Sequence, residues 1–228
     1  MGFLPILIQL KLNNMKKTIL YIIILLGTFA EAKAEGVSTS FTAYKEFKPC
    51  TITLADGRKL SQPFANIFLK NSTLLYVSGG LTKQADVKAV SAVDFDDRQY
   101  IRIDTLLCYL VDTLGSDALY KATIIDVPAY NRLLLNNHQL TNIDFSFNSI
   151  IQTSSIDLEN ESDIKMPLID IFYYRYNGKM YRVHERELLR QLPKEKRRIL
   201  KTFMNMPGFS WTDGDSLMKL LKALQMNP

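Results

Sequence analysis

Short β-rich runs at 51–54, 65–69, 74–77, 87–95, 100–104, 106–112 and 119–125 follow one another with turn residues between them, and this rhythm constrains the fold more than any other feature of the chain. It reads as an antiparallel meander, either an open sheet or an open barrel. Asp56-Gly57, Ser78-Gly79-Gly80 and Gly115-Ser116-Asp117 supply the turns, with glycine wherever a tight hairpin needs positive φ. No repeat with a period of about 20 to 50 residues argues for a propeller or solenoid.

Alternation within 87–95 places Val87, Ala89, Val93 and Phe95 on one face, and Lys88, Asp94 and the following Asp96 on the other. In the next strand Ile101 and Ile103 alternate with Arg102 and Asp104. Merging the two apolar sets predicts Phe95 opposite Ile101, Val93 opposite Ile103, a loop over 96–100, and Asp94 across from Arg102.

Asp126 can cap a short helix with Pro128 in its first turn, running through Tyr130, Leu133 and Leu134 to Asn136-Asn137. The stretch 139–163 has no clear period. At 169–184, Asn177-Gly178 is the preferred type I′ turn between two β-rich runs. It sets Tyr176 opposite Lys179, Tyr174 opposite Tyr181 and Phe172 opposite Val183, with Tyr173 beside Arg182 and Arg175 beside Met180 on the other face. From Glu185 the period changes to that of a helix: Leu188, Leu189 and Leu192, a restart at Pro193, then Ile199, Leu200 and Phe203. Met206-Pro207-Gly208 ends it, and Thr212 or Asp213 caps a last helix carrying Leu217, Leu220, Leu221 and Leu224. The expectation is an α+β protein: a mainly β region at 35–184, then a helical segment at 185–228 packed on the same core.

The N-terminus reads as an export signal. Lys16-Lys17, the apolar run 19–29 and the small-residue site Ala32-Lys33-Ala34 form its three parts, and the run is shorter than the roughly 20 residues that a spanning helix needs. Residues 15–34 are therefore expected to be a signal peptide cut before Glu35, with 1–14 lying upstream of the true start at Met15. The expected location is periplasmic, outer-envelope or secreted, and not integral to a membrane after cleavage. Cutting there removes four lysines and one acid, which lowers the formal charge from +5 to +2. So small an excess points away from nucleic acid as a partner. Cys50 and Cys108 both remain. In an oxidising compartment they can close a disulfide worth roughly 4 kcal/mol, or Cys108 can be a small buried hydrophobe.

No P-loop, Gly-x-Gly-x-x-Gly or Gly-x-Ser-x-Gly stands in the chain, and its two histidines are too few for a common zinc site, so no cofactor is expected. Asp94, Asp96 and Asp97 form the densest acid group. A hydrolase of glycan or envelope substrates, with Asp94, Asp96 or Asp104 as its carboxylates, is the enzymatic alternative. His184-Glu185-Arg186-Glu187 lacks the second histidine of a metalloprotease helix. Residues 182–201 hold eight bases and three acids, a face suited to an anionic glycan, an anionic lipid or an acidic protein partner. The candidate binding residues are Tyr173, Arg175 and Arg182 on the hairpin, and Lys196, Arg197 and Arg198 on the helix. Asn71-Ser72-Thr73 and Asn160-Glu161-Ser162 match glycosylation sequons.

The segment from Tyr173 to Leu188, with Pro193-Lys194-Glu195-Lys196-Arg197-Arg198 and Phe209-Ser210-Trp211, resembles uncharacterised secreted proteins of Bacteroidetes-type bacteria, a group with no assigned function. That resemblance implies a bacterial envelope setting and transfers no site. Taken together, the chain is expected to be an exported, non-enzymatic binding or envelope-associated module.

Overall fold

Most of the expected turns are where the chain reverses. The computed structural model describes residues 37–38, 40–136 and 165–226. The leader, the stretch 139–163 with its sequon, and His138 lie outside the described residues. The strands are β1 (Val37–Ser38), β2 (Lys48–Leu54), β3 (Lys59–Phe68), β4 (Thr73–Ser78), β5 (Leu81–Gln84), β6 (Val90–Phe95), β7 (Arg98–Ile103), β8 (Leu106–Leu114), β9 (Asp117–Ile125), β10 (Met166–Tyr176) and β11 (Lys179–Arg182). The helices are α1 (Val127–Asn136), α2 (Glu185–Gln191), α3 (Lys194–Met204) and α4 (Gly214–Met226). The protein is thus α+β, with an antiparallel sheet and helices gathered mainly at its C-terminal end.

The sheet runs in the order β1-β10-β9-β8-β7-β6-β2-β3-β4-β5, with β11 paired to β10, and it is open between β1 and β5. It is nevertheless bent. The Leu107 amide donates to the Ser72 carbonyl at 2.8 Å and the Ile125 amide to the Leu69 carbonyl at 2.7 Å, so the β3–β4 turn reaches back to β8 and β9. Strand β5 follows Gly79-Gly80, both at positive φ, a pair that closes a two-residue hairpin.

The β10–β11 hairpin has the expected register: Tyr173 with Arg182, Tyr174 with Tyr181, Arg175 with Met180 and Tyr176 with Lys179. Asn177 and Gly178 both take positive φ, as a type I′ turn requires. Asp126 caps α1, its carboxylate accepting from the Ala129 amide at 2.9 Å, and Asp213 serves α4 in the same way through the Ser216 amide.

The β6–β7 register departs from expectation. Val93 lies opposite Tyr100, Asp94 opposite Gln99 and Phe95 opposite Arg98, so the connection is the two-residue turn Asp96-Asp97 and Asp94 does not face Arg102. The cause is a sheet that is apolar on both sides. Val93, Phe95 and Tyr100 belong to one buried cluster, whereas Ile103 is buried in another with Cys108, Ala118, Tyr120, Ala122 and Tyr173. Aligning all apolar residues on a single face therefore shifts the pairing by three residues, an odd number that puts the wrong side of β7 toward that face.

The same alternation separates the cysteines. Cys50 lies opposite Phe95 on one face, Cys108 opposite Ile101 on the other, and both are free and buried. Burial pushes the Cys50 thiol up to about 11 and, with the Asp104 charge adding to it, the Cys108 thiol up to about 12.

A third cluster joins Leu119, Phe172, Tyr174 and Tyr176 of the strands to Leu188, Leu192, Leu200, Leu217, Leu220, Leu221 and Leu224 of the helices. Two phenols enter it without leaving a polar group unpaired: the Tyr174 hydroxyl donates to the Leu217 carbonyl and the Tyr176 hydroxyl to the Leu224 carbonyl.

Candidate functional site

Strand alternation decides how the candidate binding residues are shared out. Tyr174 and Tyr176 belong to the helix-contacting cluster, so Tyr173, Arg175 and Arg182 lie on the opposite face of the hairpin. The two halves of the expected binding surface are thus on different sides of the sheet.

On the hairpin half, Tyr173 is only 4% exposed. Burial, reinforced by the Asp104 carboxylate, pushes its phenol up to about 12. The Arg175 Nε donates to the Ser116 carbonyl at 3.1 Å and its guanidinium sits 5.7 Å from the Tyr120 ring centroid. Of the three, Arg182 is exposed. Tyr173 and Arg175 therefore serve the sheet itself.

The helix half divides again. The Lys196 Nζ donates to the Leu224 carbonyl at 2.6 Å, near the end of α4. The Arg197 Nε donates to the Leu192 carbonyl at 2.7 Å and its Nη2 to the Arg190 carbonyl at 3.2 Å, at the end of α2. A helix end presents carbonyls without intrahelical partners and a partial negative charge, and both cations answer that need. Arg198 is exposed instead, and Lys194 and Lys201 flank it at helical spacing on the same side of α3. Leu200 of the same helix is fully buried. Arg186 and Arg190 are exposed on α2, Arg190 held by Glu187 at 2.6 Å. Among the described residues, Lys194, Arg198 and Lys201 form no ion pair. Where β11 meets α2, an open hollow of about 390 Å³ is lined by His184, Glu185, Arg186 and Leu189.

Two of the candidate carboxylates, Asp96 and Asp104, stand apart. Asp96 is in the turn before β7 and Asp104 in the turn after it, where it takes a φ of 54°. Eight residues of extended chain at roughly 3.3 Å per residue set them up to about 26 Å apart, whereas a glycosidase pair stands about 5 to 10 Å apart. Asp94 is exposed beside Gln99, and Asp97 pairs with Lys48 at 3.5 Å. Among the described residues, no three His, Cys, Asp or Glu side chains gather as metal ligands.

Sequence reasoning missed an aromatic row crossed by cations. Tyr44, Phe95, Tyr100 and Tyr109 follow one another at centroid distances of 5.0, 5.9 and 5.8 Å. Buried Asn66 pins the start of the row, since its side chain bonds both the amide and the carbonyl of Tyr44. Lys48 sits 4.1 Å from the Tyr44 centroid, Arg98 4.3 Å and Lys121 5.6 Å from the Tyr109 centroid. Lys121 also pairs with Asp170 at 2.8 Å, and Asp170 accepts from Thr123 at 2.6 Å. Burial, then the neighbouring phenol and charges, raises the Tyr44 phenol far above its usual value, and burial raises Tyr100. The only signal in the sequence was the Arg98-x-Tyr100 alternation, which needed the true register to show what it faced.

No protein-family model, no curated protein and no solved structure matches this chain. Among the described residues, no helix is long and apolar enough to cross a membrane.

Proposed function

We propose that the chain is an exported, non-enzymatic module of a bacterial envelope that holds an anionic glycan on the outer side of its C-terminal helices. In this reading α2, α3 and α4 form a layer on the β9–β11 part of the sheet, apolar sides inward and cations outward. The observation that carries it is α3: Leu200 is completely buried while Lys194, Arg198 and Lys201 are exposed and, among the described residues, form no ion pair. Cations in a row, close to one another and without carboxylate partners, raise the local potential and gain most from a ligand that repeats its negative charge. The basic face is smaller than residue counts imply, because Lys196 and Arg197 are engaged at helix ends. Export is supported by the tripartite pattern at 16–34.

The test is binding of residues 35–228 to sulfated dextran, against neutral dextran and anionic vesicles, over a salt series. Binding to the sulfated polymer should weaken as salt rises, because exposed charges are screened beyond about 8 to 10 Å near physiological ionic strength. It should also disappear in the Lys194→Glu, Arg198→Glu, Lys201→Glu triple variant. Unchanged binding in that variant would sink the proposal, and preference for vesicles would replace the glycan with lipid.

A further inference from the structure

The aromatic row contains a cation that its surroundings leave differently served from the other two. Lys48 has Asp97 and Lys121 has Asp170. Arg98, exposed at the start of β7, lies over the Tyr109 ring, and among the described residues it forms no ion pair. Its guanidinium carbon is 4.3 Å from the ring centroid and one of its N–H groups meets the Tyr100 phenol, so part of its fork of five donors is left for a carboxylate or phosphate. Lys121 shares the same ring, so the two positive charges are held close together, on the scale of one Debye length of about 8 to 10 Å.

We infer that Arg98, stacked on Tyr109 beside Lys121, is a site for a single oxyanion, the carboxylate or phosphate group of a small ligand. It is distinct from the helical cation row and does not depend on the function proposed for that row.

Three features fit one compact anion better than a polymer. The cations come from the strands on either side of β8 and flank one ring, so their positive charge is confined to one small part of the sheet face rather than spread along a row. Asp170 neutralises part of Lys121, which limits the excess charge to about what one oxyanion balances. Burial alone would lower the Lys121 ammonium, but its bonds to Asp170 and Tyr109 outweigh that and raise it, so it stays charged at neutral pH. The phenol of Tyr100, which burial holds protonated, adds a neutral polar neighbour without a competing negative charge. Ordinary cation–π packing would account for the stack, and it makes a separate prediction: no saturable response to anions.

The test titrates the intact chain with inorganic phosphate and, separately, with glucuronate at low salt, following the arginine side-chain signals by NMR. Saturable movement of the Arg98 Nε–H signal and of the Tyr109 ring signals is expected; in Arg98→Lys, which keeps the charge and removes the fork, the Tyr109 signals should report affinity weakened at least tenfold. The Lys194→Ala, Arg198→Ala, Lys201→Ala variant should bind as the parent does. Response to one anion alone assigns the site to that chemistry, and response to both assigns it to the shared oxyanion. Non-saturating shifts with both, or equal affinity in Arg98→Lys, would overturn the inference. A melting curve for Arg98→Lys shows that the variant compared is folded.

Discussion

Lys196 and Arg197 stand within the same short helix as Lys194, Arg198 and Lys201, yet the two groups do opposite work. The first pair reaches carbonyls at the ends of α4 and α2 and so ties three helices together. The other three are exposed and form no ion pair among the described residues. A run of positive charge is therefore not a positive patch. Two of these five cations are internal wiring, and the difference is set by helical angle, since residues about 100° apart face different neighbours.

Variants around α3 should separate these roles by size. Leu200→Ala, on the buried side, should cost about 2 to 5 kcal/mol in urea unfolding. Lys196→Met and Arg197→Met should each cost about 1 to 2 kcal/mol, because carbonyls at helix ends lose a charged donor. Tyr176→Phe should cost about 1 kcal/mol or less. Tyr176 and Lys196 donate to the same Leu224 carbonyl, so the double variant should cost measurably more or less than the sum. Truncating Lys194, Arg198 and Lys201 together to Ala should leave stability within about 0.5 kcal/mol while removing polyanion binding. If that triple variant unfolds early and Lys196→Met does not, the division of labour is reversed.

The thiols give a pH-dependent check. Both are held protonated by burial, at about 11 for Cys50 and about 12 for Cys108, against an unfolded value near 9. The folded state keeps these protons where the unfolded chain loses them. Their contribution is therefore complete below pH of about 9 and declines as pH rises toward 12. At pH 8, a thiol reagent should label neither cysteine in the native protein and both after unfolding.

Strand and turn positions were legible where glycine or asparagine had to take positive φ, as at Asn177-Gly178 and Gly79-Gly80. The Asp96-Asp97 turn uses no positive φ and carried no such mark. Its register was hidden further because Val93 and Ile103 are both buried but in clusters on different faces. The hairpin pairing of Tyr173 with Arg182 was readable, while the 4% exposure of Tyr173 was not, since burial depends on what Ile103 and Cys108 contribute from strands distant in sequence. The helix-end roles of Lys196 and Arg197 were invisible for the same reason: their acceptors are fixed by tertiary placement.

Buried Asp117, at the start of β9, accepts from the Asn177 amide at 2.9 Å and from the Gln225 side chain at 2.6 Å, and Gln225 also reaches the Leu114 carbonyl at 2.9 Å. Asp117 thus joins the β10–β11 turn to the β8–β9 turn, and Gln225, made 108 positions after Asp117 and 111 after Leu114, fastens the β8–β9 turn to α4. During synthesis the sheet can pair strand by strand and join its two turns through Asp117 and Asn177, but the tie from Gln225 to the β8–β9 turn waits for α4. A ribosome that has reached Met204 has produced all of β1–β11 but not this tie, so the last fastening of the β8–β9 turn comes late.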